Sequence, residues 1–339
     1  MGPRRTDVEV DVSLRRVALW AVRGLGVLWL VAVLAVAWWW LTLKPLPQPG
    51  ALIEPPHDDA RTTYPIVLAH GMMGFDHLGP LTYWPGIVEA LQAHGANVHL
   101  TRMAAFQSSE VRGEQLLAQV EDIVARTHAG KVNLIGHSQG GHAVRYVAAR
   151  RPDLVASVTV VASPVTGSEF ADWVDAEAKQ GSWAASAIMA VGRGAGRLVN
   201  WGSDADFVQD VPAALASLNS LGAADFNRRF PAGVPAVPCG QGAGEVAGVR
   251  YFSWSGVGTF HHVLNFPDYV MSLTGLAFQR EAGDGLVGRC SSHLGEVIRD
   301  DFPLNHFQIV NQIQGLHTRE IDPVQLFVDQ AKRLKQLGL

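Results

Sequence analysis

Cysteine is scarce in this chain: only Cys239 and Cys290 occur in 339 residues. That excludes a disulfide-dense scaffold and a four-cysteine zinc or iron-sulfur site. Charge is sparse as well, at 17% against 48% apolar residues, which is too hydrophobic a balance for a disordered chain. Net charge is −4, with no basic run beyond the N-terminus. A nucleic-acid groove, which needs clustered Lys and Arg, is therefore excluded, and polyanions are poor partners.

What is present divides unevenly. From Gly24 to Leu43 there are 20 consecutive uncharged positions, enough to span a bilayer core as a helix. Arg4, Arg5, Arg15, Arg16 and Arg23 precede the run and Lys44 alone follows it, so the positive-inside rule keeps the N-terminus cytoplasmic. Trp38, Trp39 and Trp40 suit the outer membrane interface. Residues 1–44 are expected to be a cytoplasmic stub and transmembrane signal-anchor, single-pass in a bacterial inner membrane. The remainder then lies in the periplasm or outside the cell. The alternative is a signal cleaved after the small-residue stretch Ala35-Val36-Ala37, releasing a secreted protein. Residues 45–61 carry Pro45, Pro47, Pro49, Pro55 and Pro56 and read as an extended linker.

Residues 62–339 alternate short apolar runs with helical patterns. Ile66–Ala69, Val98–Leu100, Val132–Ile135, Val158–Val161 and Val249–Ser253 suit strands buried on both faces of a parallel sheet. Helices are expected over Tyr83–His94, over Ser109–His128 with Val111, Leu116, Leu117, Val120, Ile123 and Val124 as its stripe, and over Pro323–Leu337. The fold class is α/β: an open, mostly parallel sheet with helices on both faces. Thr166–Phe230, rich in alanine and glycine, interrupts the alternation. A mobile lid over an apolar site and an ordinary helical insertion packed on the core fit it equally.

Gly136-His137-Ser138-Gln139-Gly140 is a G-x-S-x-G pattern, entered from an apolar strand and followed by the helix-forming stretch His142–Arg150. Strand, tight turn and helix are what a nucleophile elbow needs, the glycines admitting a turn that pushes the serine hydroxyl outward. Ser138 is the candidate nucleophile; the bland alternative is a tight turn whose serine caps the helix. A serine hydroxyl needs a base and an orienting acid, which follow it in the order acid, histidine. His293, His306 and His317 remain as bases once His142, His261 and His262 are set aside by position. Gly283-Asp284-Gly285 sets an acid between glycines, and Asn305-His306-Phe307 follows at a distance that allows one intervening strand. Asp300 and Asp301 compete as the acid. An oxyanion site needs two backbone donors, one after the nucleophile (Gln139) and one on an early strand-to-loop turn, for which His70-Gly71-Met72-Met73-Gly74 nominates the Met72 N–H.

Four strings carry a family likeness: Tyr64-Pro-Ile-Val-Leu-Ala-His-Gly-Met-Met-Gly-Phe75, Gly136-His-Ser-Gln-Gly-Gly141, Tyr251-Phe-Ser-Trp-Ser-Gly256 and Gly283-Asp-Gly-Leu-Val-Gly-Arg-Cys-Ser-Ser-His-Leu-Gly295. Together they resemble the secreted triacylglycerol lipases of Pseudomonas and Burkholderia over about Tyr64 to Leu337. The resemblance implies an α/β-hydrolase fold, a Ser138–Asp284–His306 triad, Met72 and Gln139 as oxyanion amides, a helical lid over residues 168–230 and long-chain acyl substrates. It implies a single Cys239–Cys290 disulfide, which would close a loop of about fifty residues, remove roughly 4 kcal/mol of unfolded-chain entropy and require an oxidising compartment. Two free thiols are the alternative.

A dedicated foldase is a further implied partner, as is a structural calcium near the histidine loop. Asp268 is the expected first carboxylate, Gln308 stands where the second belongs, and carbonyls of Gln312 and Leu316 complete the set. Calcium prefers charged oxygens, so an amide at 308 argues against its retention. Catalysis itself needs no cofactor. The expected function is serine carboxylic-ester hydrolysis through an acyl-enzyme, as a triacylglycerol lipase acting on lipid or ester substrates at a membrane. Alternatives are a short-chain esterase or polyester depolymerase on the same triad, acyl transfer to an alcohol, and a non-catalytic membrane-tethered binding module.

Overall fold

The computed structural model describes residues 58–312, 316–318 and 320–339. The expected membrane anchor at Gly24–Leu43 and most of the proline-rich linker lie outside the described residues. Among the described residues no helix is long and apolar enough to cross a membrane. The linker was expected to reach residue 61, but the domain begins earlier. Ala60 is buried with its N–H donating to the His94 carbonyl, and Asp59 pairs with His94 and Lys332.

In chain order the elements are β1 (Ile66–Ala69), a small hairpin of β2 (His77–Leu78) and β3 (Leu81–Thr82), α1 (Ile87–Ala93), β4 (Val98–Leu100), α2 (Ser109–Thr127), β5 (Val132–His137), α3 (Gly140–Arg150) and β6 (Val155–Val161). Four helices follow: α4 (Glu169–Lys179), α5 (Trp183–Gly202), α6 (Val211–Leu218) and α7 (Ser220–Arg229). The chain closes with β7 (Glu245–Val246), β8 (Val249–Gly256), α8 (Phe266–Gly275), β9 (Glu296–Phe302) and α9 (Pro323–Gln336). The main sheet has 7 strands in the order β4-β1-β5-β6-β8, with both β7 and β9 pairing β8. Every pairing in it is parallel except β7 with β8.

Alternation along the strands divides the core between the two faces. Ile66, Leu68, Ile135 and Val161 pack with Ile87 and Leu91 of α1 and Phe327 and Val328 of α9. Val67, Ala69, Leu134 and Val160 pack with Leu116 and Val120 of α2 and Val144 and Val147 of α3. With both faces covered, the central strands are continuously apolar, as a buried parallel sheet requires.

Two expectations change. The first helix starts at Ile87 rather than Tyr83, because Pro85 is followed by Gly86 at φ 78°, a left-handed residue that cannot continue a helix backwards. In α2, Leu116, Val120 and Ile123 are buried while Val111 is exposed, five positions before Leu116 and so rotated off the stripe. Arg112 occupies the stripe instead.

Candidate active site

β5 runs straight into the turn His137-Ser138-Gln139, from which α3 departs. Ser138 has φ 54°, a left-handed conformation unusual for a residue bearing a Cβ, and its N–H donates to the Val161 carbonyl at 2.9 Å. A Cβ at Gly136 would collide with the backbone of Gly140, and one at Gly140 with the Ala69 carbonyl. These two glycines therefore let α3 close on β5 and β1, holding Ser138 at the strand ends. The residue is 8% exposed.

Asp284 and His306 meet in the interior. His306 Nδ1 lies 2.8 Å from Asp284 Oδ2, and both residues are buried. Asp284 Oδ1 accepts the N–H groups of Leu286 at 3.0 Å and Val287 at 2.8 Å. A carboxylate only accepts, so the proton sits on His306 Nδ1 and Nε2 carries the lone pair. The His306 ring packs on His137, the residue before Ser138, with centroids 4.6 Å apart. The strand expected between acid and histidine is β9.

The competing residues are engaged elsewhere. Asp300 Oδ2 faces His293 Nε2 at 3.0 Å and Arg289 at 2.8 Å, while His293 Nδ1 is held at the Gly240 carbonyl. Asp301 pairs with Arg299 on the surface. His317 Nδ1 bonds the neighbouring Thr318 carbonyl. His142 points away from the turn, between Ser109 Oγ and the Pro164 carbonyl, and burial lowers its pKa to about 3.

The loop after β1 passes against the serine: a Cβ on Gly71 would stand 2.8 Å from Ser138 Cβ. Met73 N–H donates to the Ala105 carbonyl and Gly74 N–H to Gly71. Among the described residues neither the Met72 nor the Gln139 N–H has an acceptor. Three buried side chains brace this loop, and two of them, Arg112 and Tyr83, were missed by sequence reasoning. The fully buried Arg112 guanidinium donates to the carbonyls of His70 (2.6 Å), Gly71 (3.1 Å) and Ala104. Burial lowers its pKa to about 10, so it remains cationic near neutrality. His70 accepts from Met103 N–H at Nε2 and donates from Nδ1 to Gly71; burial, then the charge of Arg112, lowers its pKa to about 3. The Tyr83 hydroxyl accepts the Gly71 N–H at 3.1 Å and donates to His137 Nδ1 at 2.7 Å, so its one proton joins the loop to the serine turn.

Cys239 and Cys290 form a disulfide. It anchors the segment following Asp284, which is held further by Glu281 accepting the N–H groups of Cys290 and Ser291. Ser168, the N-cap of α4, donates its hydroxyl to Leu286 beside the acid. Residues 168–230 form the four helices α4 to α7. Val174, Val199, Val211 and Leu215 from these helices cluster with Phe106 and pack on Met72 and Phe75. The outer side of α5 also carries apolar groups, with Trp183 and Trp201 each 83% exposed.

The residues considered for calcium are partly assembled. Asp268 is fully buried, Gln308 Nε2 lies 3.1 Å from its Oδ1, and the same nitrogen reaches the Leu316 carbonyl at 3.2 Å. The Gln312 N–H donates to the Phe307 carbonyl. Among the described residues, no group of three or more His, Cys, Asp or Glu side chains is arranged to hold a metal ion.

A family model for the alpha/beta hydrolase fold matches residues 64–308. Proteins named triacylglycerol lipase are similar over most of their length. One from Vibrio cholerae serotype O1 is 48% identical over 281 residues, covering 82% of this chain and 90% of its own. One from Pseudomonas fragi is 40% identical over 291 residues, covering 83% and 99%. One from Burkholderia plantarii is 37% identical over 356 residues, covering 91% and 98%. Among solved structures, lipase 1 from Pelosinus fermentans shares the fold at a TM-score of 0.55 and 16% identity, over 82% of this chain and 100% of that one. By sequence and by architecture, the chain belongs to the α/β-hydrolase fold family and is a relative of the triacylglycerol lipases.

Proposed function

We propose that this domain is a serine carboxylic-ester hydrolase of the triacylglycerol-lipase kind. The observation that carries this reading is the Asp284–His306 pair packed against the strained His137–Ser138 turn. His306 Nε2 takes the Ser138 hydroxyl proton as Oγ bonds to the ester carbonyl carbon. Asp284 keeps the imidazole in the Nδ1–H tautomer and stabilises its charged form. The Met72 and Gln139 amides bind the oxyanion, and His306 passes the proton to the departing alcohol, leaving Ser138 acylated. Water, deprotonated by the same nitrogen, then releases the fatty acid and restores the serine.

Substrate class follows from the cover over the site. Ser138 is little exposed, apolar residues of α4 to α6 pack on Met72 and Phe75 of the neighbouring loop, and α5 also turns tryptophans outward. A lid apolar on both sides suits an enzyme that opens at a lipid surface and takes long acyl chains. The relatives named triacylglycerol lipase support the same choice. The uncharged stretch Gly24–Leu43 and its arginine flank support an enzyme held at a membrane with this domain on the outer side. Hydrolysis of a short-chain triglyceride, followed through its solubility limit, tests the reading. A lidded lipase accelerates once emulsion droplets form, whereas a rate that saturates below the limit and stays flat above it would leave an esterase.

A further inference from the structure

The polar centre beside the histidine loop joins three segments: the first turn of α8 with Asp268, the loop Asn305–Gln308, and Leu316. Asp268 is fully buried, and its hydrogen-bond partners among the described residues are neutral amides. Its Oδ2 accepts the backbone N–H groups of His261 and His262, each at 2.7 Å. Its Oδ1 accepts Asn305 Nδ2 at 2.7 Å and Gln308 Nε2 at 3.1 Å. A carboxylate offers about four lone-pair sites, and all are filled by N–H donors. The Leu316 carbonyl is filled likewise, by Asn265 Nδ2 at 2.9 Å and Gln308 Nε2 at 3.2 Å.

Gln308 is the hinge of this arrangement. Its amide nitrogen has two hydrogens, one directed to the carboxylate and one to the carbonyl, and so joins two oxygens as a bound cation would. Its orientation is fixed by chemistry, because Oε1 accepts the Asn305 N–H at 3.2 Å. Turning the amide over would set oxygen against oxygen at Asp268 and Leu316, and hydrogen against hydrogen at Asn305. Calcium demands six to eight oxygen ligands, several of them charged. Among the described residues Asn265 Oδ1 is buried here without a donor, but one neutral oxygen falls far short of that number.

We propose that the Gln308 side-chain amide replaces the divalent cation that the family resemblance implies here. The centre is then a metal-free latch clasping the segment of His306 to α8, and the domain neither binds calcium nor needs it. The proposal stands on hydrogen-bond geometry and not on the ester-hydrolase reading, so its readouts are metal content and thermal unfolding.

Full-length protein is dialysed against a calcium chelator, then against millimolar calcium chloride, and its unfolding temperature and bound calcium are measured in each. The expected result is one unfolding temperature under both conditions and substoichiometric calcium. One calcium retained per chain, or an unfolding temperature that falls in chelator and recovers with calcium, would overturn the proposal. In Gln308→Glu a second carboxylate replaces the bridging amide. Its unfolding temperature is expected to drop in chelator and rise on adding calcium. A variant indifferent to calcium would contradict the assignment of Gln308 to the cation's position.

Discussion

Arg112 and Gly71 share a hydrogen bond of 3.1 Å from guanidinium to carbonyl, and the far end of that same peptide unit is the Met72 N–H. A buried cation on the oxygen side polarises the peptide so that its hydrogen is a stronger donor. Arg112 therefore both fixes the loop and strengthens the amide proposed to meet the oxyanion. Arg112→Lys keeps a charge but cannot span three carbonyls with one ammonium. We expect kcat to fall about 10- to 100-fold with KM little changed, somewhat less than the loss of a whole oxyanion donor. Steady-state kinetics on a soluble ester checks it; an unchanged kcat would leave Arg112 a purely structural residue.

Of the candidate acids and bases downstream of Ser138, Asp284 pairs with His306 and Asp300 with His293, and of these two pairs the first lies against the serine turn. Asp284→Asn should leave the fold intact and lower kcat by about 10³- to 10⁴-fold, since the imidazole loses its tautomer and the partner for its charge. Asp300→Asn should leave kcat near the wild-type value. The reverse pattern would transfer the acid role to the competing residue.

The Cys239–Cys290 bridge closes a separation of 51 residues and ends six positions after Asp284. Replacing both cysteines by serine should destabilise the domain by about 2–4 kcal/mol, measured by urea unfolding. Activity of the fraction still folded should also decline, because the segment carrying the acid loses an anchor. A stability unchanged by reduction would remove the bridge from the account.

Buried histidines make stability depend on pH. Burial holds His70 and His142 to pKa values of about 3, against an ordinary value of 6.5. Between those values the unfolded chain binds protons that the folded chain refuses. Their stabilising contribution is therefore complete above about pH 6.5 and is lost as pH falls toward 3, by at most about 1.4 kcal/mol per pH unit for each ring. Unfolding free energies measured near neutrality and near about pH 5 should show this loss, and His142→Gln should reduce it by the share of one ring. A wild-type stability constant across that interval would refute the assignment.

The sheet was legible because its strands are continuous apolar runs, and Ser138 because Gly136 and Gly140 leave a recognisable spacing where backbones must touch. The acid was not settled by chain order alone, since Asp284 and Asp300 each precede a candidate histidine or stand near one. Only the packing of His306 on His137 separates them. Arg112 and Tyr83 were missed for a physical reason: their partners are backbone groups of a loop remote in sequence, which leave no pattern in side-chain types. One signal was available, since Arg112 falls on the same helical stripe as Leu116 and Val120 and so had to be buried. The start of α1 was misjudged because the break at Pro85-Gly86 outweighs the apolar residues before it.

The most direct test of the central claim is covalent labelling of the purified protein with a fluorophosphonate, followed by peptide mapping. The account predicts one phosphonyl group per chain, on Ser138, with labelling and ester hydrolysis both abolished in Ser138→Ala while its unfolding remains cooperative. Hydrolysis surviving in that variant, or a label found on another residue, would contradict it.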